Sequence, residues 1–176
     1  MERVMEVKMT EILKRGVNLV VYTIRGMENT HHKSRITRST IQNLLYFFDL
    51  KSDIDLHYTI YHSGVSSPMV DRFLSVAESL GYIERKWSLG KGYAFTLSEA
   101  GREINPQQKD LRILSEIIKT YGSFSLKELT IVTIALYLKE NFNVIDSKKI
   151  VKAVLSIKPT IGESEVKRLL QDIGIG

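Results

Sequence analysis

A predicted β-hairpin constrains the fold of this sequence more than any other feature. Residues 82–87 and residues 93–97 are rich in aromatic and β-branched side chains, and residues 88–92 between them contain the glycines that a tight turn needs. A helix is predicted just before the hairpin, because Ser67 is a suitable N-cap and Pro68 suits the first helical position. The sequence therefore places a helix directly before a two-stranded ribbon.

Two further helices and a strand are predicted upstream of this helix. Apolar side chains recur at helical spacing over residues 2–26 and again over residues 37–50, and the polar residues 26–34 between them are predicted to form a loop. Residues 56–62 alternate in polarity and are rich in strand-forming residues. The predicted order of helix, strand, helix and hairpin is typical of a winged-helix domain.

The rest of the sequence, residues 106–176, is predicted to be helical. Its most specific local signal is a capping box, in which Ser125 and Glu128 begin a helix that is apolar on most sides. We therefore predict a mostly α protein with a small antiparallel β-sheet, of the α+β class. In this prediction a winged-helix-like domain with an N-terminal helix spans residues 1–105, and a C-terminal helical region of residues 106–176 packs on it.

The composition of the 176 residues is that of a globular protein, with 43% hydrophobic and 26% charged residues. The absence of cysteine excludes disulfide bonds, a thiol nucleophile and thiolate metal sites. No apolar run approaches the roughly 20 residues that span a bilayer, and the charged N-terminus has no secretory hydrophobic segment. We therefore expect a cytoplasmic protein that makes no contact with membranes.

The third predicted helix is the candidate for reading duplex DNA, and the formal net charge of +5 is compatible with that role. Once its apolar stripe is assigned to the core, the residues expected to face bases and phosphates are Ser67, Arg72, Ser75 and Ser79. The same face carries Asp71 and Glu78, so its negative charges outnumber its positive one. A solvated or partner-binding face is the alternative.

The predicted hairpin, or wing, carries the clearest cluster of basic residues. Arg85, Lys86 and Lys91 lie at or near its tip, where they are expected to contact the DNA backbone. Trp87 beside them either packs beneath the hairpin or stacks on a partner, and packing is the more frequent outcome for a tryptophan.

Two arginines near the start of the second predicted helix form another candidate phosphate site. Arg35 and Arg38 precede or begin this helix, and the partial positive charge of a helix N-terminus favours anions. They are therefore expected to contact DNA phosphates, the alternative being an ordinary solvated loop.

The sequence shows no pattern typical of a catalytic, cofactor or metal site. His57 and His62 point to opposite faces of the predicted strand and cannot share a metal ion. Residues 63–68 do not form the Gly-x-Ser-x-Gly elbow of a hydrolase, and residues 90–92 lack the spacing of a phosphate-binding loop. We therefore expect that the protein is not an enzyme and has no catalytic residues, no cofactor and no metal.

Several motifs resemble, in order, those of a known family. Residues 36–46 resemble its helix of the form L-Q-K-L-L-Y, with asparagine in place of the lysine, and residues 58–68 resemble its Y-x-x-Y-x-Y-G-P-Y-S strand and turn. Residues 97–102 are similar to the L-T-x-x-G-R that closes the wing of many winged-helix regulators. The chain thereby resembles the winged-helix-like family of YwgA-type and phage-associated proteins, which includes SocA-type antitoxins. The resemblance implies a winged-helix scaffold, in members that range from DNA-binding regulators to antitoxins acting through protein partners, and it implies no catalysis.

Two functional hypotheses follow from these patterns. The first is a winged-helix DNA-binding protein, a transcriptional regulator that contacts double-stranded DNA through its third helix and basic wing and acts as a homodimer. The alternative is a protein-interaction module, antitoxin-like or adapter-like, that keeps the scaffold without reading DNA. The charge-poor third helix favours the alternative. So do residues 63–66, which leave little room for the short helix that normally precedes a recognition helix.

Overall fold

A computed structural model describes residues 2–32, 35–105 and 107–175, with side chains from residue 10 onward in these ranges. The helices are α1 (Glu2–His31), α2 (Arg38–Lys51), α3 (Pro68–Ser79), α4 (Glu99–Arg102), α5 (Gln108–Tyr121), α6 (Leu126–Phe142), α7 (Ser147–Ile157) and α8 (Glu163–Asp172). The strands are β1 (Thr59–Tyr61), β2 (Gly64–Ser66), β3 (Ile83–Ser88) and β4 (Gly92–Leu97). The predicted α+β class, mostly helical with a small antiparallel sheet, is confirmed.

The chain divides into two compact units. The first comprises Met1–His57 and Ser67–Ser123, and the second comprises Tyr58–Ser66 and Phe124–Gly176. This division differs from the boundary at residue 105 that the sequence suggested. The difference arises because α5 packs against α1 and α2, burying Leu114, Ile117 and Ile118, and therefore belongs to the first unit.

The first unit has the element order of a winged-helix domain. Helix α1, a single β-bridge at Ile36, α2, α3 and the β3–β4 wing follow one another along the chain. Strands β3 and β4 are antiparallel, with Ile83 opposite Leu97 at the base of the wing. The third member of this sheet is Ile36, whose carbonyl accepts a hydrogen bond of 2.8 Å from the Phe95 N–H. Residues 56–62, predicted as a strand, contribute a strand at Thr59–Tyr61 but not to this sheet.

Residues 56–62 instead lead into a small separate hairpin. His57 has a φ of +52°, which an extended strand does not allow, so β1 begins at Thr59. Strand β1 pairs antiparallel with β2 in the second unit. Gly64, opposite Tyr61, has a φ of +122° that favours glycine and begins β2 after a two-residue turn.

Helix α1 extends beyond its predicted end. It continues through Gly26 to His31, so the loop predicted over residues 26–34 is wrong for residues 26–31, while residues 33 and 34 lie outside the described part of the chain. A Cβ atom at Gly26 would lie only 2.4 Å from Cδ1 of Ile118. The glycine therefore does not end the helix but allows α5 to approach α1 closely.

The second unit is organised around α6. The predicted capping box is confirmed: Ser125 Oγ accepts a hydrogen bond of 3.2 Å from the Glu128 N–H, and Glu128 Oε2 accepts one of 2.8 Å from the Ser125 N–H. Helices α7 and α8 pack on α6. The core that they share includes Ile131, Ile134, Ile150, Val154, Leu169 and Leu170.

Candidate interaction surface of α3 and the wing

The N-terminus of α3 is fixed by Ser67. This serine is fully buried, and its Oγ accepts hydrogen bonds from the backbone N–H groups of Met69 (3.1 Å) and Val70 (3.3 Å) while donating to the carbonyl of Leu56. The predicted N-cap is therefore confirmed. The prediction that Ser67 contacts DNA is wrong, because a buried hydroxyl with three backbone partners cannot reach a phosphate or a base.

Gln42 ties α3 to α2 and was not singled out from the sequence. Its buried side-chain amide accepts a hydrogen bond from the Ser67 N–H (3.0 Å) and donates one to the Ser67 carbonyl (3.0 Å). The same amide nitrogen also donates to Asp71 Oδ1 (3.0 Å). No sequence signal marked this residue, because its burial is known only from the structure, and a buried amide needs hydrogen-bond partners. These contacts set the position of α3 relative to α2.

Arg38, predicted to hold phosphate, forms a two-point ion pair with Asp71 of α3. Its Nε lies 2.6 Å from Oδ1 and its Nη2 lies 2.5 Å from Oδ2. Such a bidentate pair occupies the donors that a phosphate would need. The negative charge that the sequence places on the outward face of α3 is thus neutralised by a neighbouring helix.

Arg85 of the wing forms the equivalent pair with Glu78 of α3. The Arg85 Nε lies 2.9 Å from Glu78 Oε1, and its Nη2 donates to Oε2. Hydrogen bonding to Glu78 raises the pKa of Arg85. The guanidinium also lies over the ring of Tyr93, with its Cζ 5.5 Å from the ring centroid. Arg85 therefore joins the wing to α3 within the first unit.

The other basic residues of the predicted DNA surface are more accessible. Arg72 on α3 and Lys91 at the tip of the wing are exposed, and neither forms an ion pair within the described part of the chain. Lys86 lies 3.7 Å from Glu84, an exposed pair that contributes little. The structure thus divides the predicted cations into paired and unpaired groups.

The remaining predicted contacts are Ser75, Ser79 and Arg35. Ser75 and Ser79 are exposed on α3, where their hydroxyls donate to the carbonyls of Asp71 (3.0 Å) and Ser75 (2.8 Å) of the same helix. Arg35 is half-buried just before the Ile36 bridge. None of these three side chains contacts Arg72 or Lys91 in the hydrogen bonds of the described residues.

The wing exposes large apolar side chains near its tip. Trp87 is 58% exposed and lies directly opposite Tyr93, which is 56% exposed, and Leu89 in the turn is 85% exposed. The expectation that Trp87 packs beneath the hairpin is therefore wrong. Arg85, Trp87 and Tyr93 lie on the same face of the hairpin, and Leu89 lies at its tip. We call these four residues the wing patch.

The described residues contain no cluster of three or more histidine, aspartate or glutamate side chains that could hold a metal ion. None of the described helices combines the length and apolar character needed to cross a membrane.

Comparison with known proteins does not assign the chain to a family. The sequence matches none of the protein-family models with which it was compared, and it is similar to none of the curated proteins. The resemblance to the YwgA-type family therefore stays a prediction from the motifs.

Proposed function

We propose that this protein is a protein-interaction module on a winged-helix scaffold and that the wing patch binds its partner. The observation that carries this proposal is the exposed cross-strand pair of Trp87 and Tyr93, with Arg85 stacked beside it. Tryptophan, tyrosine and arginine are the residues that most often dominate the binding energy of protein interfaces. Large aromatic side chains left in water on an exposed hairpin are better explained by a partner than by the fold.

The charges around the patch indicate the chemistry of this partner. Lys86 and Lys91 lie on the same hairpin as the exposed Trp87 and Leu89. A complementary surface has an apolar pocket for the tryptophan and leucine and carboxylates around its rim. The proposed partner is therefore a protein with an apolar pocket and an acidic border.

The pairing of Arg38 and Arg85 supports this proposal over DNA binding. Both guanidinium groups are engaged by carboxylates of α3, which is the helix that would enter the major groove. Binding phosphate through them requires breaking these pairs and leaves Asp71 and Glu78 beside the DNA backbone. Affinity for DNA depends on an excess of cations facing phosphates, and these pairs reduce it.

Photo-crosslinking of the full-length protein in its source cells tests the proposal. A photoreactive amino acid at the 85%-exposed Leu89 would trap the partner. We expect one main protein adduct, and we expect Trp87→Ala to lower its yield by at least about tenfold, the loss typical of an interface anchor. Tyr61→Ala, which removes an exposed aromatic side chain of β1 outside the wing, is the matched control and should leave the yield unchanged.

Two results would contradict the proposal. One is an adduct pattern that is the same for the parent and for Trp87→Ala, while circular dichroism shows that both are folded. The other is crosslinking to nucleic acid alone. An adduct between two copies of the chain would support the predicted homodimer, with the wing patch as its interface.

DNA binding is the second candidate, and it is favoured by Arg72 and Lys91. Both are exposed, and neither forms an ion pair in the described residues, so they can contact phosphates or a guanine edge. Under this candidate Arg72→Ala weakens binding of duplex DNA, and the affinity falls steeply with salt. Gel shift at low salt, with Arg112→Ala on α5 as the matched control, measures this effect.

A further inference from the structure

A groove between α1 and α5 of the first unit has the properties of a small-molecule site. Its volume is about 370 Å³, which lies within the range of ligand pockets. Leu111, Leu114 and Ile118 supply apolar lining from α5, and Tyr22 and Arg25 line it from α1. The charged side chains among its described lining residues are Arg25 and Lys119, and carboxylates are absent from that lining.

Tyr22 places an unsatisfied donor beside this groove. Its side chain is only 3% exposed, and its hydroxyl has no hydrogen-bond partner within the described part of the chain. Burial raises the pKa of Tyr22 to about 12, so the hydroxyl keeps its proton at neutral pH. A buried hydroxyl without a partner is unfavourable and is rare in folded proteins, so the observation points to a missing acceptor.

Arg25, whose guanidinium lies near the Tyr22 ring, has a second unsatisfied donor. Its Nη2 donates to the carbonyls of Gly101 (2.8 Å), Arg102 (2.8 Å) and Ile104 (2.9 Å), which fixes the guanidinium at the end of α4. Its Nε is buried and has no partner in the described residues. The Arg25 Cζ lies 5.4 Å from the centroid of the Tyr22 ring, so the two side chains are neighbours.

From these observations we infer that the groove binds a small organic carboxylate with an apolar body. The carboxylate accepts hydrogen bonds from the Tyr22 hydroxyl and the Arg25 Nε, while its charge is balanced by Arg25 and Lys119. The apolar body packs on the leucine and isoleucine side chains of α5. Both donor atoms are buried, so binding requires a movement of the side chains that cover them.

NMR titration of the folded, full-length protein tests this site with two probes, phenylacetate and hexanoate. We expect at least one of them to cause saturable amide shifts confined to residues 22–30 and 111–119. Phenylacetamide, which has the same shape as phenylacetate but no charge, should bind the parent at least about tenfold more weakly than phenylacetate does. The Tyr22→Phe variant should likewise bind phenylacetate at least about tenfold more weakly than the parent does. Tyr61→Phe, which removes an exposed hydroxyl elsewhere, is the matched control and should bind as the parent does.

A second variant keeps the test decisive if Tyr22→Phe does not fold. Ser115 is exposed and lines the groove, so Ser115→Trp fills it without changing the core, whereas Ser115→Ala leaves it open. Binding should be lost in the first variant and kept in the second. The inference is overturned if neither probe causes saturable shifts at probe concentrations up to about 10 mM, because even a weak pocket ligand binds in this range. It is equally overturned if a folded Tyr22→Phe or Ser115→Trp binds as tightly as the parent.

Discussion

Arg15 on α1 and Asp110 on α5 form a two-point ion pair, with Nε 2.8 Å from Oδ2 and Nη2 2.7 Å from Oδ1. The Asp110 side chain is 4% exposed and that of Arg15 is 21% exposed, so the pair lies largely out of water. It joins two helices that are far apart in the sequence, and it raises the pKa of Arg15 through hydrogen bonding to Asp110.

We predict that Asp110→Asn lowers the free energy of unfolding by about 2–3 kcal/mol, because it leaves the partly buried Arg15 without its main charge partner. Replacing both members, as Arg15→Met with Asp110→Leu, should recover most of this loss, since apolar residues avoid the cost of desolvating charges. Urea denaturation measures both effects. An Asp110→Asn variant as stable as the parent would show that the pair makes no net contribution.

Asp53 gives the protein a pH-dependent stability. Hydrogen bonds from Arg15 (2.8 Å) and Lys109 (3.1 Å) hold the pKa of Asp53 well below its ordinary range. Between the lowered pKa of the folded state and the ordinary value of about 3.9, the unfolded state binds more protons, so stability falls as the pH falls through this interval. Above about pH 5 the contribution is fully present.

We therefore predict that Asp53→Asn flattens the decline of stability below about pH 4, compared with the parent. Because Asp53 is exposed, the difference should shrink in about 0.5 M salt, which screens surface charges. Denaturation at a series of pH values checks this, and Glu103→Gln in the same unit is the control. If the parent and Asp53→Asn lose stability in parallel on acidification, the pKa of Asp53 is not lowered by these pairs.

The N-cap of α3 should be important for stability and not for recognition. Ser67→Ala removes the acceptor of two backbone N–H groups and leaves the Leu56 carbonyl without its donor, which together cost about 1–3 kcal/mol. Ser75→Ala removes an exposed hydroxyl from the same helix and should change stability by less than about 0.5 kcal/mol. Thermal and urea unfolding compare the two variants. Equal stability of Ser67→Ala and the parent would contradict the structural role of this serine.

Local signals account for the parts of the fold that the sequence predicted well. The caps at Ser67 and Ser125 depend on residues within three or four positions, and the wing depends on a turn between two adjacent strand-like runs. Patterns of this range can be recognised in one sequence. The β3–β4 hairpin, the start of α3 and the start of α6 therefore agree with the structure.

Features that depend on distant residues could not be predicted in the same way. The bridge between Ile36 and Phe95 consists of a single residue pair, so it has no periodicity to detect. The pairing of Arg38 with Asp71 needs the position of α2 against α3, and without it both appear as free surface charges. The unsatisfied donors of Tyr22 and Arg25 are likewise visible only once burial is known.

The two carboxylates of α3 provide a test that separates the proposed functions. Asp71→Asn with Glu78→Gln releases Arg38 and Arg85 from their ion pairs and raises the net charge of the surface. We expect the parent not to bind random-sequence duplex DNA measurably at physiological salt. The double variant should gain non-specific affinity for DNA. The slope of the logarithm of its binding constant against the logarithm of salt concentration should be steeper by about 2, one for each released cation.

The matched control for this test is Glu99→Gln with Glu103→Gln, which changes the net charge equally at exposed positions on and beside α4. This control should gain much less affinity, because Arg38 and Arg85 stay in their ion pairs with Asp71 and Glu78, so the added charge acts only through a screened field. Fluorescence anisotropy over a range of salt concentrations measures all three proteins. A parent that already binds duplex DNA with a dissociation constant below about 1 µM, and a double variant that binds no more tightly, would show that these carboxylates do not oppose DNA. That result would favour the DNA-binding candidate over the protein-interaction module.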